Sequence, residues 1–151
     1  YTKAVSETDD FIMVKQFTSG SIDRTKILDD YEHGDIHVLT SMKCLDEGVD
    51  VPRSELAIFC ASTGNPRQFI QRRGRVLRLH KDKTHAIIHD LVVVPNVDSS
   101  DKSYDIERNM VKSELLRVTD FAKLAMNKTE TYTVLEGVLN FYNLNLNDFY
   151  N

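Results

Sequence analysis

Apolar positions cluster along the chain in two rhythms. Four near-continuous runs have strand length: Phe11 to Phe17, Ile36 to Ser41, Leu56 to Ala61 and His85 to Val94. Stretches such as Val38-Leu39 and Ala86-Ile87-Ile88 carry apolar side chains on successive positions, which suits strands of a parallel sheet buried on both faces. Between the first two runs, Ile22 to Glu32 predicts a helix with Ile22, Ile27, Leu28 and Tyr31 inward and Gly34 just past its end. Met42 to Leu45 predicts a short helical turn, and Pro66 to Leu79 a full helix. Strands alternating with helices predict an α/β fold, a parallel sheet flanked by helices. In such sheets ligands gather at the carboxyl ends of the strands, where Thr40-Ser41, Ser62-Thr63-Gly64 and Asp90 stand.

Further on the rhythm changes. From Ser103 to Asn127 the apolar residues Ile106, Met110, Val111, Leu115, Val118, Phe121, Ala122 and Ala125 form a helical stripe, with Glu107, Arg108, Lys112, Glu114, Arg117 and Lys123 outside it. A second helix is expected at about Thr133 to Tyr142, and the Asn-rich end, Asn143 to Asn151, carries weak order signals. The expected organisation is an α/β domain over residues 1–95, a polar linker over 96–102 and a C-terminal helical extension over 103–151. Tyr1 to Glu7 resembles the end of a helix leading directly into a strand. The first strand of the sheet is therefore expected to be missing, and the chain to come from a longer polypeptide.

Charge sharpens this outline. The chain has 151 residues, a net charge of −4 and a sequence pI near 5.7, so its surface as a whole is not a cationic glove for nucleic acid. The cations are segregated instead: Arg67, Arg72, Arg73, Arg75, Arg78, Lys81 and Lys83 face one acid, Asp82, in their window. Cys44 and Cys60 have no partners at zinc-ligand spacing and read as buried thiols in a reducing compartment. The five histidines share no ligand spacing that suggests a metal site. With no targeting run or membrane-spanning apolar stretch, a cytoplasmic protein without membrane contact is expected.

The helix from Pro66 carries the candidate chemistry. Asn65 suits an N-cap and Pro66 a first helical position. At about 3.6 residues per turn, Gln71, Arg75 and Arg78 share a face while Phe69, Ile70, Val76 and Leu77 can pack inward. Several guanidiniums along one helix imply a polyphosphate or a nucleic-acid backbone, because the Arg fork matches phosphate oxygens and keeps its charge. A bare Arg-Arg-Gly-Arg string would read as a basic surface patch. Upstream, however, Thr40 is followed by Glu47-Gly48-Val49-Asp50-Val51-Pro52, a loop after a strand in which Gly48 permits close approach and Asp50 offers a carboxylate suited to ribose hydroxyls or to ordering the loop.

Together these segments resemble the second RecA-like domain of superfamily 2 helicases and translocases. Thr40 with Glu47 to Pro52 is similar to motif V, and Gln71-Arg72-Arg73-Gly74-Arg75-Val76-Leu77-Arg78 to motif VI. The Val-Leu-Arg ending, in place of the Thr-Gly-Arg of DEAD-box enzymes, points to the branch that holds excision-repair helicases and restriction-enzyme motor subunits. The resemblance covers about Phe11 to Val94.

That resemblance implies ATP hydrolysis coupled to DNA translocation or remodelling, with roles residue by residue. Arg75 and Arg78 match arginine fingers, and Gln71 the polar residue that senses the γ-phosphate or its water. Gly48 and Asp50 match the motif V segment near the ribose, and Arg72 the residue that holds the interdomain interface. Arg73 has no matching role. Thr40 matches a hydroxyl on the nucleic-acid backbone, and Thr18 and Thr63 occupy similar strand-end positions. No Gly-x-x-x-x-Gly-Lys-Ser/Thr loop and no Asp-Glu-x-His box occur in these 151 residues. ATP and its Mg2+ are therefore expected on an N-terminal RecA-like ATPase domain of the same polypeptide, with this fragment inactive alone. An RNA helicase of the same superfamily and a non-catalytic binding module are the alternatives.

Overall fold

The structure, a computed structural model, describes residues 1–42, 49–60, 66–95 and 102–149, leaving aside the side chains of 66, 67 and 148. It divides into two compact units, one of Tyr1–Ile58 with Arg67–His89, the other of Phe59–Pro66 with Asp90–Asn151. The strands, each four residues long, form two parallel pairs. In the first, β1 (Val14–Phe17) and β2 (Val38–Ser41) run from Val14↔Val38 to Phe17↔Ser41. In the second, β3 (Leu56–Phe59) pairs with β4 (Ile87–Asp90). The flanking bonds Ile87 N to Glu55 O and Leu91 N to Phe59 O advance in step, as parallel strands require.

The first unit opens with a short helix, α1 (Thr2–Ser6). The strands are shorter than the apolar runs because local turns take their ends. The Asp9 carboxylate accepts the Phe11 N–H, a turn bond joins Ile12 to Asp9, and Phe11 stays 89% exposed. Helix α2 (Arg24–His33) joins β1 to β2. Its start is a correction to the sequence expectation: Asp23 takes left-handed angles, the helix begins after it, and Ile22 is left outside, exposed rather than inward. Ile27, Leu28 and Tyr31 do face inward, packing with Leu39 on a core of Phe17, Val49 and Val51. Gly34 ends α2 at φ 95, where a Cβ is strained, and its N–H reaches the Asp30 and Tyr31 carbonyls.

In the second unit, α4 (Tyr104–Ala122) and α5 (Lys128–Phe141) bury Val111, Leu115, Val118, Leu135 and Leu139 together. Helix α4 stops short of Asn127 because the apolar stripe fails beyond Ala122, where Leu124 and Met126 stand in solvent. Ile106 and Met110, expected inward, are also exposed. Thr119, fully buried, satisfies its hydroxyl on the Leu115 carbonyl at 2.8 Å. The Asn-rich end corrects its weak order signals. After the left-handed Asn143 the chain turns back, Leu144 and Phe149 enter the core, and Leu146–Phe149 forms a 3-10 turn. Arg108 locks that return, donating from Nε to Tyr142 O at 2.8 Å and from a terminal nitrogen to Asn143 O at 3.1 Å. Of the expected linker, 96–101 lie outside the described residues.

Candidate functional site

The Asp50 loop is built by alternation. Val49 and Val51 are 5% and 3% exposed in the core under β1, so the residue between them must point out, and Asp50 does. The segment that follows is tied down by its own Arg53 and by side chains from two other parts of the unit, Tyr31 and Lys83. Arg53 donates to the Tyr31 carbonyl at 2.8 Å, and the Tyr31 and Ser54 hydroxyls bond at 2.8 Å. Lys83 donates to the carbonyls of Pro52 and Ser54.

Helix α3 (Pro66–Val76) starts at the proline, as expected. Phe69 and Val76 form its buried stripe; Ile70 and Leu77, expected inward with them, are 55% and 49% exposed. Gln71 is exposed, and Arg72, Arg73 and Arg75 are partly buried. The helix ends at Val76, so Arg78 is reached through a turn in which Leu77 N bonds Arg73 O. From that turn the Arg78 guanidinium donates to the Asp50 carboxylate, each side chain half exposed. Motif-like segments 28 residues apart thus meet through their charged members.

The carboxyl edge of β1 and β2 carries hydroxyls. Thr40, opposite Gln16 in the register, shares a 2.6 Å hydrogen bond with Thr2 of α1. Thr18 follows β1, its N–H donating to Ser21 Oγ at 2.8 Å, which shapes the Thr18 to Ser21 turn. The parallel register places Thr18 and Thr40 at the same end of neighbouring strands. Gly48, Thr63, Asn65 and Cys44 lie outside the described residues. Cys60 is a free, partly exposed thiol. Asp90, at the end of β4, is engaged by Arg117 within the second unit. Among the described residues no three His, Cys, Asp or Glu side chains gather as a metal site, and no helix is long and apolar enough to cross a membrane.

One residue was misplaced by sequence reasoning. Lys83, counted among the cations of the anion-binding window, is not a surface charge. Its ammonium donates to three backbone carbonyls, Pro52 at 2.6 Å, Val76 at 2.9 Å and Ser54 at 3.1 Å. No local pattern reveals this, because two of the three acceptors, Pro52 and Ser54, are backbone atoms 31 and 29 residues away.

Residues 10–80 match the family model described as the helicase conserved C-terminal domain. The DNA 3'-5' translocase XPB2 of Sulfurisphaera tokodaii is 38% identical over 87 residues, which are 58% of this chain and 19% of that protein. The putative ATP-dependent helicase IRC3 of Saccharomyces cerevisiae is 33% identical over 76 residues, 50% of this chain and 11% of that protein. The DNA 3'-5' helicase XPB of Kineococcus radiotolerans is 30% identical over 93 residues, 61% and 16% respectively. The chain therefore spans about a fifth or less of the length of these curated relatives. Among solved structures, the C-terminal domain of the DEAD-box protein Dbp5 aligns over 73% of this chain and 59% of that one, at 22% identity and a TM-score of 0.45.

Proposed function

Because residues 10–80 match the family model described as the helicase conserved C-terminal domain, we propose that the chain is the C-terminal motor domain of a DNA-dependent superfamily 2 ATPase. The family match and the relatives named as helicases and translocases bear out the resemblance to that superfamily. The reaction proposed for the whole polypeptide is hydrolysis of ATP to ADP and phosphate, coupled to translocation on DNA or its remodelling. ATP with its Mg2+ belongs to an N-terminal RecA-like domain of the same polypeptide.

A single observation carries this reading. Arg78 is half exposed on the turn after α3 and is aimed by a carboxylate from the Asp50 loop. Phosphoryl transfer is catalysed mainly by positioning and by stabilising charge on the transferred group. Arg75 and Arg78 fit that need as guanidiniums presented from a second domain, with Gln71 placing the attacking water. Asp50, with Gly48 of the same motif V-like segment, is assigned the contact to the ribose, and Arg72 the interdomain interface. Thr40, Thr18 and Thr63 offer hydroxyls to the nucleic-acid backbone. The residues present suit ATP: a fork for phosphate oxygens and a nearby carboxylate for sugar hydroxyls. Domain closure around bound ATP would complete the site, and opening after hydrolysis would move the domains along the strand.

The test is the full-length polypeptide carrying Arg75→Ala or Arg78→Ala. DNA-stimulated ATPase should fall by about a thousandfold or more, with binding of a fluorescent ATP analogue retained. Wild-type turnover in either variant overturns the assignment. DNA is preferred because two relatives are named for action on DNA. Stimulation by duplex DNA, single strands and RNA at matched salt decides the polymer, since backbone affinity depends steeply on salt.

A further inference from the structure

We propose that Lys83 is a positioning residue for the Arg78–Asp50 pair, a clamp that fixes the two backbones from which the pair is built. The proposal rests on the finger reading of Arg78.

An ammonium has three donor hydrogens, and all three directions are used: Pro52 O at 2.6 Å, Val76 O at 2.9 Å and Ser54 O at 3.1 Å. Val76 closes α3, so its carbonyl is among those a helix leaves without an intrahelical partner. Pro52 and Ser54 flank Arg53 on the way from the Asp50 loop into β3. One cation therefore joins a helix terminus to a loop, within two residues of Arg78 on one side and of Asp50 on the other. Lys83 is itself held in a turn, its N–H bonding His80 O at 3.1 Å while the Asp82 N–H reaches His80 Nδ1 at 3.3 Å. A saturated ammonium has no donor left for a phosphate. Its role in catalysis is to hold the geometry in which Arg78 leaves its helix, and an error of about 1 Å in such geometry can cost roughly a hundredfold in rate.

The experiment uses the full-length polypeptide with Lys83→Met, Arg78→Ala and the double variant, each with its melting temperature. Lys83→Met should lower the kcat of DNA-stimulated ATPase by about tenfold to a hundredfold, leave KM for ATP within about twofold, and add no further loss to Arg78→Ala. Lys83→Arg, which keeps charge and donors, should recover part of the rate. Wild-type kcat in Lys83→Met, or a loss that adds to that of Arg78→Ala, overturns the clamp. Should Lys83→Met fail to fold, Lys83→Gln takes its place with the same outcomes. Slow Arg78→Ala beside wild-type Lys83→Met overturns the clamp alone, whereas wild-type turnover in Arg78→Ala removes the finger reading and the clamp with it.

Discussion

Arg78 donates to the Asp50 carboxylate, and through this contact the loop before β3 and the turn after α3 share their charged residues. Each side chain is 50% exposed, so water competes with the pair and its stabilisation should be small. Asp50→Asn and Arg78→Ala are each expected to change the unfolding free energy by about 1 kcal/mol or less, measured by urea titration. A loss of several kcal/mol would make the pair a structural element rather than a presented functional one.

The end of α2 gives a sharper stability prediction. Gly34 has φ 95, and a Cβ there would come within 2.6 Å of the Arg53 guanidinium that bonds the Tyr31 carbonyl. Gly34→Ala should destabilise by about 1–2 kcal/mol from backbone strain alone. The Arg53→Met background separates the two causes. The steric part disappears there and the backbone part remains, so a Gly34→Ala cost that vanishes in that background would refute the strain argument.

Where the sequence foretold the structure, a local rule was in force. The spacing of Ile27, Leu28 and Tyr31 located α2, Gly34 its end, and Pro66 the start of α3. The stripe Val111, Leu115 and Val118 located the buried face of α4. What stayed hidden depended on distant partners. Leu144 and Phe149 sit among asparagines, and they are buried because Arg108 holds the reversal at Asn143 from 35 residues away. The ammonium of Lys83 found carbonyls up to 31 residues distant. Ile22 satisfied helical spacing yet was left outside α2 by the left-handed Asp23, and Ile70, within α3, faced solvent because periodicity names a face without saying how wide its cover is. At the candidate site, motif spacing gave Asp50 and Arg78 but not their mutual bond.

In the second unit, Arg117 donates to the Asp90 carboxylate and to Glu114 Oε2 at 2.6 Å. The Arg117 and Asp90 side chains are each only 9% exposed. Removing one member of a buried pair strands the other, at a cost of about 3–5 kcal/mol. Arg117→Met should show that loss in chemical denaturation. The double variant Asp90→Asn/Arg117→Met should recover much of it, because the stranded charge is gone. Equal losses in the single and double variants would show that packing of the Arg117 stem, not charge, sets the cost.

Tyr142 makes the stability of the second unit depend on alkaline pH. Its ring is fully buried and stacked on Tyr104 at 5.6 Å, and its hydroxyl donates to Pro95 O at 2.5 Å. Burial raises its pKa above the ordinary 10.0, with Glu107 and Tyr104 adding to the rise. The folded state thus holds this proton more tightly than the unfolded chain does. The resulting stabilisation is complete below about pH 10 and is lost as pH climbs through the higher folded value. Tyr142→Phe removes both the hydrogen bond and the proton. At neutral pH the variant should melt at a lower temperature than the parent. Above pH 10 the parent should lose its advantage, because ionising the phenol in its apolar site costs what the hydroxyl had contributed. The two melting curves, plotted against pH, should run parallel up to about pH 10 and then converge. Curves that remain parallel through pH 11 would show that the phenol ionises equally well in the folded and unfolded chains, contrary to its burial against Pro95 and Tyr104.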